Sequence, residues 1–163
     1  MTRIVVLSDT HVSPRSTRQL PDDVYRNLAA TDLILHAGDL VSLDMLRELE
    51  GFAPVHAVLG NNDHELLGLL PERFEVEVEG IRFGLVHDSG DRQGRAARMR
   101  RWFPDADVVV FGHSHEPCNE AGDADQVLFN PGSSTWKRRA PSHTFGVIEV
   151  GAGQILRAEI LEV

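Results

Sequence analysis

The chain opens on an unbroken apolar run, Ile4-Val5-Val6-Leu7. A run without alternation marks a strand covered on both faces, and 3–8 is read as one. The pattern returns at 33–37 and at 54–59, giving a second and a third buried strand. Ser13 to Pro21 is a polar loop. Asp22 or Asp23 can cap a helix that runs to about Ala30, and Ser42 can cap another from Leu43 to Glu50 with Gly51 as its stop. Further on the period changes. Phe74-Glu-Val-Glu-Val-Glu and Ile81-Arg-Phe-Gly-Leu alternate strictly about Glu79-Gly80, which predicts a β-hairpin. A helix is expected from Asp91 to Phe103, with strands at 107–111, 127–130, 144–150 and 154–161. The first half thus reads βαβα and the second half is strand-rich. Two packed sheets with helices outside would bury both patterns, an α/β (α+β) two-sheet β-sandwich flanked by helices. With 163 residues and no linker or repeat, 1–163 is expected to form a single domain.

Composition narrows the class. A chain 42% hydrophobic and 25% charged has enough apolar surface to fold. Its net charge of −9 argues against nucleic acid as a stable partner, which would call for a basic face. It does not exclude an anionic substrate, because bound cations dominate the field of a site. Cys118 is the single cysteine, so no intrachain disulfide can form, which fits a reducing compartment. Met1 to Leu7 is too short and too weakly basic for a signal peptide, and no stretch approaches the roughly 18 apolar residues of a membrane span. The expectation is a cytoplasmic protein without a membrane partner.

The chemistry lies at the ends of the predicted strands. Asp9 and His11 follow the first run, Asp39 the second, Asn61 the third; His87 follows 81–86, and His113 and His115 follow 107–111. These seven residues offer oxygen and imidazole donors and no thiolate. That set suits two divalent cations, Mn²⁺ first, with Fe²⁺, Zn²⁺ or Ni²⁺ as other occupants. The gaps between donors match one strand-plus-crossover unit, and the carboxyl edge of an open α/β sheet is where ligands bind.

Asp9-Thr-His11, Gly38-Asp39, Gly60-Asn61-Asn62-Asp63, His87, Gly112-His-Ser-His115 and Asn130-Pro-Gly-Ser133, in this order, resemble the motifs of the calcineurin-like metallophosphoesterase superfamily. The resemblance is nearest to its small single-domain prokaryotic phosphodiesterase branch. It implies a dinuclear metal-dependent phosphoesterase that hydrolyses phosphodiesters or activated phosphomonoesters through a metal-bridging hydroxide. One metal would be held by Asp9, His11, Asp39 and His115, the other by Asp39, Asn61, His87 and His113. Asp39 would bridge them, and Asp39, Asn61 and His113 would carry the catalytic step. The partner implied is a small phosphate ester, and relatives in the branch often form homo-oligomers. The alternative is a non-catalytic scaffold resembling the superfamily's retromer subunit, but scaffolds tend to lose donors and this chain keeps all seven.

Two positions depart from the family pattern. Many members carry a histidine where Asn62 stands, and an amide cannot protonate a leaving oxygen at neutral pH. Asp88 stands where glycine is common. It would either orient His87 or repel anions. Asn62, His64 and Arg92 are the candidate substrate contacts. His64 is a candidate replacement acid, set against a solvated loop histidine. Arg92, Arg95, Arg98 and Arg101 recur every third residue, as a solvated face or a phosphate clamp. Lys137-Arg138-Arg139 poses the same choice. His36, His56 and His143 read as structural, Asn130-Pro-Gly-Ser133 as a turn supporting the metal loops, and Cys118 as a small buried filler.

Overall fold

The structure is a computed structural model and describes residues 1–163. Strands β1 (Thr2–Leu7), β2 (Leu33–His36) and β3 (Val55–Ala57) alternate with helices α1 (Asp22–Leu28) and α2 (Leu43–Glu50). The hairpin β4 (Arg73–Val78) and β5 (Ile81–Val86) follows, then α3 (Arg95–Trp102), β6 (Val108–Val110), β7 (Cys118–Ala121), β8 (Val127–Asn130), β9 (Thr144–Gly151) and β10 (Gln154–Glu162).

The strands form two five-stranded sheets, ordered β10-β9-β1-β2-β3 and β4-β5-β6-β8-β7. Each has a parallel centre, β1-β2-β3 in the first and β5-β6-β8 in the second. Antiparallel strands complete the edges. Side chains alternate across a strand, so β1 feeds two cores at once. Ile4 and Val6 face the second sheet and pack with Phe83, Leu85, Val110 and Phe129. Val5 and Leu7 face outward beneath Val24 and Leu28 of α1 and Met45 and Leu49 of α2. On the far side Met99 of α3, with Phe103, covers Val109 and Phe111. The order of layers is helices, sheet, sheet, helix. A fully buried aliphatic or aromatic side chain contributes about 1.5–3 kcal/mol, and these three clusters supply the drive that holds the strand ends in register.

Several boundaries differ from the sequence reading. α1 begins after Pro21, whose fixed φ suits a helix start, and Asp22 and Asp23 lie inside the first turn, where acids suit the dipole. α2 is capped as expected, with the Ser42 hydroxyl accepting from the Met45 N–H. α3 starts at Arg95 rather than Asp91 because Gly94 takes a left-handed conformation that a helix cannot continue. β7 was not anticipated. It is an edge strand, mostly exposed, so its residues Cys-Asn-Glu-Ala carry no apolar alternation. No helix is long and apolar enough to cross a membrane.

Candidate metal centre

The carboxyl ends of β1, β2, β3, β5 and β6 bring the predicted donors to one edge of the sandwich. Loops there are stitched together by backbone bonds: Asp9 N–H to Gly38 carbonyl (2.9 Å), His11 N–H to Asp39 carbonyl (3.0 Å) and Gly112 N–H to His87 carbonyl (2.9 Å). Loops packed this closely need glycine. A Cβ on Gly38 would lie 2.6 Å from His87 Nδ1, and one on Gly112 would strike the Ser8 hydroxyl and the Asp9 carboxylate. Five of the seven donors, Asp9, His11, Asp39, His113 and His115, themselves sit at positive φ, between 48° and 71°. Left-handed backbone costs a non-glycine residue roughly 1–2 kcal/mol, and such strain clusters where side chains must be aimed.

Two groups of buried ligand atoms result, Asp9 with His11 and His115, and Asp9 with Asp39 and His87, each within 4.8 Å of one another. Asp9 Oδ1 lies 3.3 Å from His115 Nε2 and 3.8 Å from His87 Nε2. Asp39 Oδ2 stands between the groups, 3.3 Å from His11 Nε2 and 3.5 Å from His87 Nε2. Asn61 Oδ1 faces His87 Nε2 at 2.9 Å and His113 Nδ1 at 3.3 Å. Five of the seven donors thus converge in these two groups, and Asn61 joins them through His87 and brings in His113, the most exposed of the four imidazoles.

The surroundings fix which atoms point inward. Asp9 Oδ2 accepts from the Ser8 hydroxyl (2.6 Å) and the His113 N–H (2.9 Å), which leaves Oδ1 for the centre. His87 Nδ1 donates to the Ala37 carbonyl at 2.7 Å, and His115 Nδ1 donates to the Trp136 carbonyl. Each ring therefore presents Nε2 inward, the orientation ligating histidines take. Asp9 Oδ1, His11 Nε2 and His115 Nε2 are buried and make no hydrogen bond of good geometry, although carboxylate and imidazole face each other across 3.3 Å in the Asp9–His115 and Asp39–His11 pairs. Buried polar atoms are nearly always satisfied, so three orphans converging on one point fit a cation. Electrostatics agree. Burial works against a charged His87, but the Asp39 and Asp9 carboxylates outweigh it and push the imidazole up to about 9. Burial opposes ionised Asp39 too, yet His11 and His87 hold its carboxyl far below the usual range. Both shifts favour positive charge at this place.

A second layer locks the frame. Asp63, buried, accepts from the N–H groups of Asp39 (2.8 Å), Val41 (2.7 Å) and Gly60 (2.7 Å). His36 accepts from the Gly38 N–H at 3.1 Å and meets the Thr10 hydroxyl at 3.0 Å; burial pushes it down to about 3, so it stays neutral. The Asn130-to-Ser133 turn joins the ends of β1 and β6. Asn130 donates to the Gly112 carbonyl (3.2 Å), and Ser133 donates to the Asp9 carbonyl (2.7 Å). Trp136, absent from the sequence reading, packs edge-on to His11 (5.1 Å) and His115 (5.3 Å). Its only signal was its place just after that turn.

The candidate substrate contacts are placed differently. Asn62 is in the site: its Nδ2 donates to Asp39 Oδ2 and its N–H to Asp39 Oδ1, both at 2.9 Å. His64 is exposed on a 3₁₀ turn, with no hydrogen bond or ion pair to any donor. Arg92 lines a separate cavity of about 290 Å³ with Arg95 and Cys118, which runs against the loop carrying His113 and His115 at Phe111, Ser114, Glu116 and Pro117 but is lined by none of the seven donors. Arg98 is a brace, donating to the carbonyls of Ser89 and Asp91. Asp88 stands 3.9 Å from His113 Nε2, beside that imidazole rather than His87. The Cys118 thiol is half-buried and pushed up to about 11, first by burial and then by Glu120, so it is inert.

Parallel-centred twin sheets whose carboxyl edges gather carboxylates and imidazoles around orphaned atoms define a metallophosphoesterase-type centre. The chain belongs to the calcineurin-like phosphoesterase superfamily, whose domain model matches residues 2–153. It is 38% identical over 160 residues to a protein of Methanothermobacter thermautotrophicus named "Probable metallophosphoesterase", covering 97% of this chain and 91% of that one. It is 29% identical over 143 residues to a phosphodiesterase of Methanocaldococcus jannaschii, covering 80% and 82%. Among solved structures, Vps29 of Entamoeba histolytica complexed with Zn²⁺ superposes with a TM-score of 0.77 at 23% identity over 98% of each chain, a likeness of fold.

Proposed function

We propose that this protein is a dinuclear metal-dependent phosphoesterase that favours phosphodiesters, with Asp9, His11, Asp39 and His115 holding one cation and Asp39, Asn61, His87 and His113 the other. The observation that carries this reading is the convergence of Asp9 Oδ1, His11 Nε2 and His115 Nε2, buried and without a hydrogen bond of good geometry, beside Asp39. Bound divalent cations would supply an activated water and neutralise charge on the phosphoryl oxygens. The chain's own groups prepare the site. Ser8 and the His113 N–H hold one Asp9 oxygen so that the other faces inward. The Ala37 and Trp136 carbonyls hold the Nδ1 protons of His87 and His115. Asn62 anchors Asp39 from its solvent side and offers no proton to a leaving oxygen.

Elemental analysis after Mn²⁺ loading should give two ions per chain, with turnover of bis(4-nitrophenyl) phosphate exceeding that of 4-nitrophenyl phosphate. Asp39→Asn should lose both ions' tight binding and turnover together. A protein that stays metal-poor and inert on both esters would instead be the scaffold that the Vps29-like fold also accommodates.

A further inference from the structure

The geometry points to a subsite for a second phosphate of the substrate, built from Arg18, Trp136 and Arg138 on the His11–His115 flank of the centre. This rests on the phosphoesterase reading and names its substrate class: phosphodiesters that carry another phosphate close to the scissile one.

Trp136 ties this flank to the donors. Its ring touches both His11 and His115 edge-on. Its N–H donates to Ser133 Oγ at 2.9 Å, the hydroxyl that also holds the Asp9 carbonyl. Two guanidiniums lie over this one ring, Arg18 with Cζ 4.2 Å from the ring centre and Arg138 with Cζ at 4.9 Å. They come from distant loops. Arg138 reaches its place from a left-handed backbone, φ 49°, unusual for a long side chain, and also donates to the His113 carbonyl at 3.4 Å.

Neither arginine forms an ion pair. In a chain with 25 acidic against 16 basic residues, unpaired arginines are not forced by a shortage of carboxylates. Contact with a ring leaves guanidinium N–H groups free to fork onto phosphate oxygens. Asp88 stands beside His113, and Asp44 and Glu48 line a surface cavity with Arg18 without pairing with it. Two unpaired guanidiniums therefore lie on the Trp136 side, and a bisphosphate is oriented with its second phosphate toward them. A nucleobase is disfavoured there because the guanidiniums already occupy the ring.

The test compares two esters with the same scissile bond, thymidine 5′-(4-nitrophenyl phosphate) with and without a 3′-phosphate, in Mn²⁺. The wild type should favour the 3′-phosphorylated ester by about tenfold or more in kcat/KM, mainly through KM, as charge-assisted hydrogen bonds allow. Arg18→Gln combined with Arg138→Gln should bring that ratio to about one. The ratio is internally normalised, so partial unfolding does not mimic the result. A titration of Trp136 fluorescence with thymidine 3′,5′-bisphosphate, in a Trp102→Phe background, should saturate and should be lost in the double variant. Equal use of both esters by the wild type overturns the subsite and leaves the phosphoesterase reading standing, as does a preference that survives the double variant. Hydrolysis of neither ester sinks the phosphoesterase reading, and the fluorescence titration still decides the subsite. A nucleoside preference that depends on Trp136 but not on the arginines would mean base stacking and would overturn the proposal.

Discussion

Replacing Asp63 by alanine tests whether the centre's frame is held by one carboxylate that ligates nothing. Asp63 is 2% exposed and accepts three backbone N–H groups, those of Asp39, Val41 and Gly60. These bonds clamp the loop after β2 to the loop after β3. Leaving a buried donor unsatisfied costs about 1–3 kcal/mol. The Asp39 N–H is deeply buried, whereas Val41 and Gly60 are half-buried and can recover part of the loss from water. Removing a charge beside Asp39 also relieves some repulsion. The net expectation for Asp63→Ala is a loss of about 3–5 kcal/mol, or about 6–20 °C in melting temperature for a domain of this size. Asp63→Asn keeps an oxygen for two of the donors and turns an amide toward the third, and should lose about 1–2 kcal/mol.

The assay is urea and thermal unfolding in EDTA, so that metal affinity does not enter, followed by Mn²⁺ titration of the folded variants. Asp63→Ala should bind Mn²⁺ at least tenfold more weakly, because Asp39 and Asn61 then sit on independently moving loops. A metal-free Asp63→Ala protein that melts within about 2 °C of the wild type would refute the reasoning, since three short bonds would then contribute almost nothing.

Three further outcomes follow from the site. His36 is held neutral down to about 3 against an ordinary 6.5, so its contribution is complete above pH 6.5 and is lost as pH falls; the metal-free protein should lose up to about 1.4 kcal/mol per unit between pH 6.5 and 3, and the urea midpoint of His36→Gln should lack that slope. His87, raised to about 9, must release its proton to ligate, so Mn²⁺ affinity should rise with pH up to about 9; calorimetry in buffers of different ionisation enthalpy should detect the released proton near neutral pH, and none released would count against His87 as a ligand. With Asn62 unable to donate a proton, log rate should fall steeply with leaving-group pKa; Asn62→His should raise rates on alkyl diesters by up to about 10²-fold while changing aryl diesters little, and a flat wild-type slope would mean another acid is present.

The parallel centres of both sheets were legible because their strands are buried on both faces, and Ile4 to Leu7 or Val108 to Val110 can hardly be anything else. Edge strand β7 was not, because exposure on an edge removes the apolar signal. The donors were legible by type, since four imidazoles and two carboxylates at strand ends have few structural uses. What holds them was hidden. Asp63 and His36 act through the particular backbone N–H groups they meet, and those partners are set by how loops after separate strands stack. Trp136 and Arg18 are likewise joined only by folding, being on loops far apart in sequence.

The left-handed donors explain why so much of the surrounding chain serves the site without touching its centre. Glycine would remove the strain at Asp9, His11, Asp39, His113 and His115 but would carry no ligand. Asp and His tolerate this region better than most residues, yet five such positions still cost roughly 5–10 kcal/mol together. That is comparable to the whole stability of a domain, so it must be offset locally. Ser8, Asp63, Asn130 and Ser133 each bond to these residues or to the chain beside them, and the sheets beneath are buried on both faces. The frame that offsets this strain is the chain's own, so the donors are aimed inward by bonds that involve no ligand, and a cation displacing a proton from His87 would enter a site already formed.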